Sequence, residues 1–231
     1  MSRMFGGGGR SGDRSGERYS PDIDIGSDPQ VHLDTDVADY DGAAGSAPQD
    51  AEVFMGQGRD YLAREEYRHA AEAFSEAIKL DTQDPNGYYN RGLAGMRLEQ
   101  YTRAVEDFNE AIRLAPQDVD AYVNRGISYL MMGRPQQAIE SYDQAITLDP
   151  HNAMLYNGRG AAYFDMGHIE RSIEDFDRAI YVEPDFAYAY NNRAMSYIRL
   201  GRYGEAEQDV RRAVELGIDP QEAIAELEGK L

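Results

Sequence analysis

Arginine side chains recur at a fixed interval along this sequence and are its first candidates for chemistry. They stand 34 residues apart, at Arg91, Arg125, Arg159 and Arg193. Such a series could bind an anion, or each guanidinium could pair with a carboxylate inside the fold. Aspartate follows three of them sixteen residues later, at Asp107, Asp175 and Asp209.

The interval before Arg91 has Gln57 and Ala73, so both members of the pair are missing there together. Because a buried charge without a partner is very costly, we predict internal Arg–Asp pairs rather than an anion site. Arg125 is followed by Ser141 instead of aspartate. Its partner is therefore expected elsewhere, at Glu140 or in a neighbouring repeat.

No catalytic or metal-binding pattern accompanies the arginines. The four histidines are scattered and form no His-Glu-x-x-His motif; they are His32, His69, His151 and His168. The sequence also lacks a nucleophile elbow, a phosphate-binding loop and a calcium loop. It has no cysteine, which excludes disulfides and thiolate metal sites. We therefore predict that the protein is not an enzyme and uses no cofactor or metal.

The arginines belong to a larger unit that repeats every 34 residues without an insertion. The five units are residues 51–84, 85–118, 119–152, 153–186 and 187–220. Each reads as two amphipathic helices joined by a tight turn. In an antiparallel pair that turns near the fifteenth position, a residue of the first helix faces a residue of the second helix when their position numbers in the repeat add up to about 31. Large residues of one helix then meet small residues of the other. One pair cannot bury its apolar face alone, which predicts stacking of successive pairs.

The series of aromatic, glycine, tyrosine, alanine, phenylalanine, alanine and proline residues resembles the tetratricopeptide repeat family. It is carried by residues such as Tyr122, Gly126, Tyr129, Ala138 and Pro150, and the resemblance covers residues 51–220. It implies an all-α fold, a right-handed α-solenoid of antiparallel helix pairs. One departure is systematic, because the seventh position holds arginine where the family has leucine.

In this family the first helix of each repeat lines a concave surface, and the resemblance therefore implies a binding groove. A ladder of amides there could hold an extended peptide, since an amide both donates and accepts hydrogen bonds. Methionine and aromatic side chains would add adaptable apolar contacts. The predicted groove residues are Asn90, Asn124, Asn157, Asn192, Tyr89, Arg59, Arg97, Met131, Tyr188 and Arg199.

The best-known binding mode of the family is a clamp for the acidic tails of heat-shock chaperones. At the clamp positions, starting from the first repeat, this chain has Met55, Arg59, Asn90, Asp120 and Asn124. Only Asn90 matches the family pattern, so a clamp for chaperone tails is not expected.

Composition separates the repeats from both ends of the chain. Residues 1–50 are Gly/Ser-rich and then Asp-rich, and are predicted to be a disordered tail; residues 221–231 are predicted to form a capping helix. The net charge is −19, of which residues 51–231 carry −13. This acidity argues against nucleic acid and anionic membranes as partners. With no apolar run long enough to span a bilayer, a cytoplasmic protein is expected.

The sequence thus predicts a non-enzymatic adaptor or scaffold that binds a peptide or helix of a partner protein in the concave groove. One alternative is a regulatory subunit or chaperone-like protein that binds through the edge of the array or through the acidic tail. Another is a partner of a larger enzyme complex. The sequence does not distinguish these three functions.

Overall fold

The computed structural model describes residues 47–219, which form ten α-helices and no strand. Consecutive helices pair as predicted, five first helices alternating with five second helices. In chain order they are α1 Ala47–Ala63, α2 Tyr67–Leu80, α3 Pro85–Arg97, α4 Tyr101–Leu114, α5 Val119–Met131, α6 Pro135–Leu148, α7 Ala153–Asp165, α8 Ile169–Val182, α9 Ala187–Arg199 and α10 Tyr203–Glu215. Within this part of the chain, no helix is long and apolar enough to cross a membrane.

The first helix begins slightly before the first repeat. Helix α1 starts at Ala47, four residues ahead of Ala51, where the sequence period begins. The rest of the predicted N-terminal tail and the predicted capping helix, residues 221–231, lie outside the described residues.

The turn inside each pair has one residue in the left-handed conformation at the fifteenth position of the repeat. Gly133, Gly167 and Gly201 have φ angles of 67°, 75° and 71°, while Glu65 and Glu99 adopt 60° and 57°. The next residue then donates its N–H to a carbonyl five residues back, as from Arg134 to Tyr129 at 2.8 Å. This bond closes the first helix and reverses the chain direction.

Glycine at the eighth position allows the two helices of a pair to approach closely. A Cβ placed on Gly92 would lie 2.7 Å from Cε1 of Phe108, and one on Gly160 would lie 2.7 Å from Cε1 of Phe176. Both rings are buried. A large ring of the second helix therefore fills the space left by the missing side chain of a glycine on the first helix. This agrees with the prediction that repeat positions whose numbers sum to about 31 face each other.

Successive repeats are joined by bonds at the ends of their helices. The Asp118 carboxylate accepts from the N–H of Asp120 at 3.0 Å and so caps α5. The hydroxyl of Tyr156, at the fourth position of its repeat, donates to the carbonyl of Pro150 at 3.1 Å, and Tyr190 donates to that of Pro184 at 3.0 Å. Each link fixes a first helix to the end of the repeat before it.

The stack curves toward its first helices. Each first helix contacts the next one along the chain, in the pairs α1–α3, α3–α5, α5–α7 and α7–α9. Among the described helices, no second helix contacts another second helix in this way. The first helices therefore form the inner, concave wall, and the second helices form the outer wall.

Candidate functional site

The concave groove is the inner stripe along α1, α3, α5, α7 and α9. Its residues lie at positions 2, 5, 6, 9, 12 and 13 of each repeat, counted from Ala51 in the first. Positions 5 and 6 of neighbouring first helices meet across it: Nδ2 of Asn124 donates to the hydroxyl of Tyr89 at 3.2 Å. This lateral contact joins neighbouring first helices along the stripe.

The twelfth position is buried beneath the groove and is not exposed in it. Its residues are buried in four repeats: Met96, Leu130, Phe164 and Ile198. Side chains at positions 2 and 13 reach the surface of the groove, whereas the fifth-position residue is buried in every repeat except the second, where it is Tyr89. Met154 is 50% exposed, and Tyr89, Met131 and Tyr188 are half-buried.

The predicted amides divide into two groups. Asn157 and Asn192 are buried, and Nδ2 of Asn192 donates to Oδ1 of Asn157 at 2.9 Å, which joins the fourth and fifth repeats. Asn90 and Asn124 are half-buried and remain at the surface. Asn90 donates to the carbonyl of Asn86 at 2.8 Å, and Asn124 donates to that of Asp120 at 2.9 Å. Two of the four predicted amides are therefore buried between repeats, and the other two remain at the surface of the groove.

Glycine replaces the sixth-position asparagine in the fourth repeat, where the preceding repeat carries tyrosine in place of phenylalanine. A Cβ on Gly158 would overlap Cζ of the Tyr142 ring and lie 2.5 Å from its Cε1 and 2.7 Å from its hydroxyl oxygen; Tyr142 is fully buried. The first, second and fourth repeats have phenylalanine in place of Tyr142, and the fifth has Val210. The ring of Tyr142 and its hydroxyl thus occupy space that an asparagine at residue 158 would need.

Two carboxylates, those of Asp118 and Asp120, act on Tyr89 in the groove. Burial, together with the charges of Asp120 and Asp118, raises the pKa of Tyr89, while the hydrogen bond with Asn124 opposes that rise. Burial and the charge of Asp118 likewise raise the pKa of Asp120.

The predicted groove arginines differ in their surroundings. Arg59 is half-buried and pairs with Glu52, with Nη2 2.9 Å from Oε1. Arg97 is exposed at the thirteenth position of its repeat. Arg199 is also exposed, and its guanidinium carbon lies 5.1 Å from the centre of the Phe164 ring. Burial raises the pKa of the nearby Asp165 to about 6, and Arg199 counteracts part of that rise.

The predicted Arg–Asp pairs are confirmed, and each is bidentate. In the fourth repeat, Nε of Arg159 lies 2.8 Å from Oδ2 of Asp175, and Nη2 lies 2.7 Å from Oδ1. Arg91 and Asp107 are joined in the same way, as are Arg193 and Asp209. The hydrogen bond with Asp175 is the main reason that the pKa of Arg159 is raised. The guanidiniums are thus engaged inside the solenoid.

Each of the four repeat arginines also contacts a side chain of the preceding repeat. From the sequence, a partner in a neighbouring repeat was expected only for Arg125. Nη1 of Arg125 donates to Oδ1 of Asn109 at 2.9 Å, and its Nε donates to Ser141 at 3.0 Å. The expected partner in a neighbouring repeat is confirmed, and Glu140 makes no such bond. Nη1 of Arg159 similarly lies 2.6 Å from Oδ1 of Asp143.

A signal for this second contact was present in the sequence. The twenty-fifth position carries an oxygen-bearing side chain in every repeat that precedes an arginine: Ser75, Asn109, Asp143 and Asp177. In the last repeat the same position is Arg211. The guanidiniums therefore join neighbouring repeats as well as the two helices of one pair.

Comparison with known sequences and structures agrees with this geometry. Two family models, both described as Tetratricopeptide repeat, match the chain: one over residues 119–152, the other over residues 55–119 and 157–223. The chain belongs to the tetratricopeptide repeat family. This repeat fold supports a general role in protein interaction, with proteins or peptides as partners. Among curated proteins, none matches the sequence.

Solved structures share the solenoid at low sequence identity. A MamA protein has 24% identity and a TM-score of 0.66, covering 79% of this chain and 98% of its own. MamA from Desulfovibrio magneticus RS-1 has 22% identity and a TM-score of 0.68, covering 75% and 97%. YrrB, described as a TPR protein with an unusual peptide-binding site, has 18% identity and a TM-score of 0.65, covering 80% and 100%. These likenesses establish the fold alone.

Across residues 47–219, no group of three or more His, Asp or Glu side chains is placed to hold a metal ion. The groove offers apolar side chains, two surface amides and a few charges of both signs. Such a surface suits hydrogen bonding and apolar contact with a chain segment.

Proposed function

We propose that this protein is a non-enzymatic adaptor that binds a peptide segment or helix of a partner protein in its concave groove. The observation that carries the proposal is the row of apolar side chains that stay accessible on three first helices. Tyr89, Met131 and Met154 lie on α3, α5 and α7, and Met154 is half exposed. Methionine adapts to irregular partners because it is unbranched and polarizable.

The polar groups of the groove would orient the bound segment. Asn90 and Asn124 lie at the surface beside Tyr89, within reach of a peptide backbone. Asn157 and Asn192 support the wall through their mutual bond, so we assign them a positioning role. Tyr188, Arg97 and Arg199 would contact the flanks of the segment. YrrB, which shares the fold, is described as having a peptide-binding site.

Two exposed apolar residues on opposite walls give a matched test. Met154 lies in the groove, whereas Tyr181 is 76% exposed on the second helix α8. A peptide would be selected from a random library by the full chain, and its affinity measured for Met154→Glu and for Tyr181→Glu. Both variants place the same charge on an exposed apolar site.

We expect Met154→Glu to weaken binding by about tenfold or more, which corresponds to about 1.4 kcal/mol. Tyr181→Glu should change affinity by less than about twofold. The opposite pattern would overturn the groove as the binding site. Loss of binding on deletion of residues 1–46, with no effect of Met154→Glu, would instead favour binding through the tail.

A further inference from the structure

A small cavity lies at the junction of the first two repeats, beside the first helix of the groove. Its volume is about 60 Å³, and its lining includes the buried residues Met55, Ile78 and Gly87. A single water needs only about 10–15 Å³ of such space. The cavity, which we call the junction cavity, therefore has room for the head of a side chain.

Three carboxylates line the junction cavity. They are those of Glu52, Asp81 and Asp84, and Glu52 is paired with Arg59 at 2.9 Å. The three carboxylates and the guanidinium of Arg59 together carry a formal charge of −2. Asp81 accepts from the N–H of Gln83 at 2.9 Å, and Asp84 accepts from that of Asn86 at 2.9 Å. These backbone bonds hold both carboxylates in place without neutralising them.

The later junctions differ from the first at the matching positions. In place of Gly87 they have Ala121, Leu155 and Ala189, and in place of Asp84 they have Asp118, Asn152 and Phe186. Residues 51–219 contain four junctions between repeats. Only the first has three carboxylates and a glycine at the positions of Glu52, Asp81, Asp84 and Gly87. The cavity is thus a local feature of this chain rather than a consequence of the repeat.

We propose that the junction cavity binds an arginine side chain of the peptide that occupies the concave groove. An arginine has a cationic head, which would enter the cavity and pair with carboxylates of its lining, and an apolar stem, which would contact the apolar lining residues. Its guanidinium carries five donors in a fixed plane and can donate to more than one of these carboxylates. In the described part of the chain these carboxylates are not placed to hold a metal ion. The inference rests on the proposed function in that the arginine belongs to the same bound peptide.

The test uses methyl signals of the full chain, with Met55 reporting on the junction cavity and Met131 and Met154 reporting on the groove. The probe is the peptide acetyl-Ala-Ala-Arg-Ala-Ala-amide, and its control has citrulline, a neutral isostere, in place of arginine. NMR titration at low salt should shift Met55 saturably with the arginine peptide. Citrulline should give no saturable shift there, and added salt should weaken the arginine response.

A charge-neutral variant identifies the groups responsible. The double variant Glu52→Gln, Asp81→Asn should weaken the Met55 response to the arginine peptide at least fivefold. Its matched control is Glu106→Gln, Glu140→Gln, which removes the same charge from exposed outer helices and should change the response less than twofold. Equal effects of the two double variants would overturn the assignment.

The methyl signals separate this inference from the proposed function. Shifts at Met131 and Met154 without a shift at Met55 would overturn the junction cavity as a binding site and leave the groove intact. Equal responses of Met55 to arginine and citrulline would also overturn it. A saturable response of Met55 to arginine alone supports it.

Discussion

The ring and hydroxyl of Tyr142 lie against the bare Cα of Gly158, on the first helix of the next repeat. A Cβ on Gly158 would lie 2.5 Å from Cε1 of Tyr142 and 2.7 Å from its hydroxyl oxygen. The equivalent pairs are Phe74 with Asn90, Phe108 with Asn124, and Phe176 with Asn192. The larger ring is thus matched by the smaller partner.

This relationship predicts a compensating pair of substitutions. Gly158→Asn alone should lower the free energy of unfolding by about 1–3 kcal/mol, because the new side chain overfills the site. Adding Tyr142→Phe recreates the pairing of the other junctions and should recover at least about 0.5 kcal/mol of that loss. Urea denaturation of the two single variants and the double variant measures the coupling. Strict additivity would show that the two residues do not share one space.

The arginine network predicts unequal costs for two carboxylates that bind the same guanidinium. Asp175 is buried beside Arg159, whereas the side chain of Asp143 is 46% exposed. Asp175→Ala should cost about 3 kcal/mol of unfolding free energy, since it leaves a partly buried charge without its main partner. Asp143→Ala should cost less than about 1 kcal/mol because solvent screens that pair.

Denaturation of both variants under identical conditions checks this order. A double-mutant cycle on Arg159 and Asp175 should give a clear coupling energy. Similar costs for Asp143→Ala and Asp175→Ala, or no coupling in the cycle, would contradict the proposed hierarchy of the two contacts.

Two glycines on α3 predict opposite effects of the same substitution. A Cβ on Gly95 would make an ordinary contact, 3.6 Å from Cβ of Ala104, whereas one on Gly92 would lie 2.7 Å from the Phe108 ring. Gly95→Ala should therefore raise the free energy of unfolding by about 1 kcal/mol, through helix propensity. Gly92→Ala should lower it by about 1–3 kcal/mol through overpacking. Thermal unfolding of both variants is the measurement; destabilisation by Gly95→Ala would show that the helix pair cannot admit even a methyl group there.

Asp165 predicts a dependence of stability on pH. Burial raises its pKa from 3.8 to about 6, so the folded protein binds this proton more tightly than the unfolded chain does. The stabilising contribution of that protonation is complete below about pH 4 and is lost as the pH rises through 6. Asp165→Asn resembles the protonated form at every pH. Its melting temperature relative to the unsubstituted protein should therefore be higher at pH 7.5 than at pH 4, and an unchanged difference would rule out the raised pKa.

Much of the architecture could be predicted from the sequence, because the 34-residue period fixes which residues of one helix pair lie level. The pairing of Arg159 with Asp175 follows from this alone, because the two residues occupy facing positions on the two helices of one repeat. The bond between Asn157 and Asn192 could not be predicted, since it joins first helices of different repeats. Such lateral contacts depend on how far each repeat rotates on the next, which no spacing within one repeat reports. For the same reason the sequence assigned all the amides to the surface of the groove.

Site-specific photo-crosslinking can locate a bound peptide on the concave groove. A benzophenone side chain would be placed at Tyr89, Met154 or Tyr188 in the groove, and at Glu72, Glu106 or Tyr181 on the outer helices. After irradiation with the library-selected peptide, mass spectrometry would locate the cross-links. The account predicts cross-links at the groove positions and few at the outer ones. Cross-links concentrated at the outer positions would contradict it.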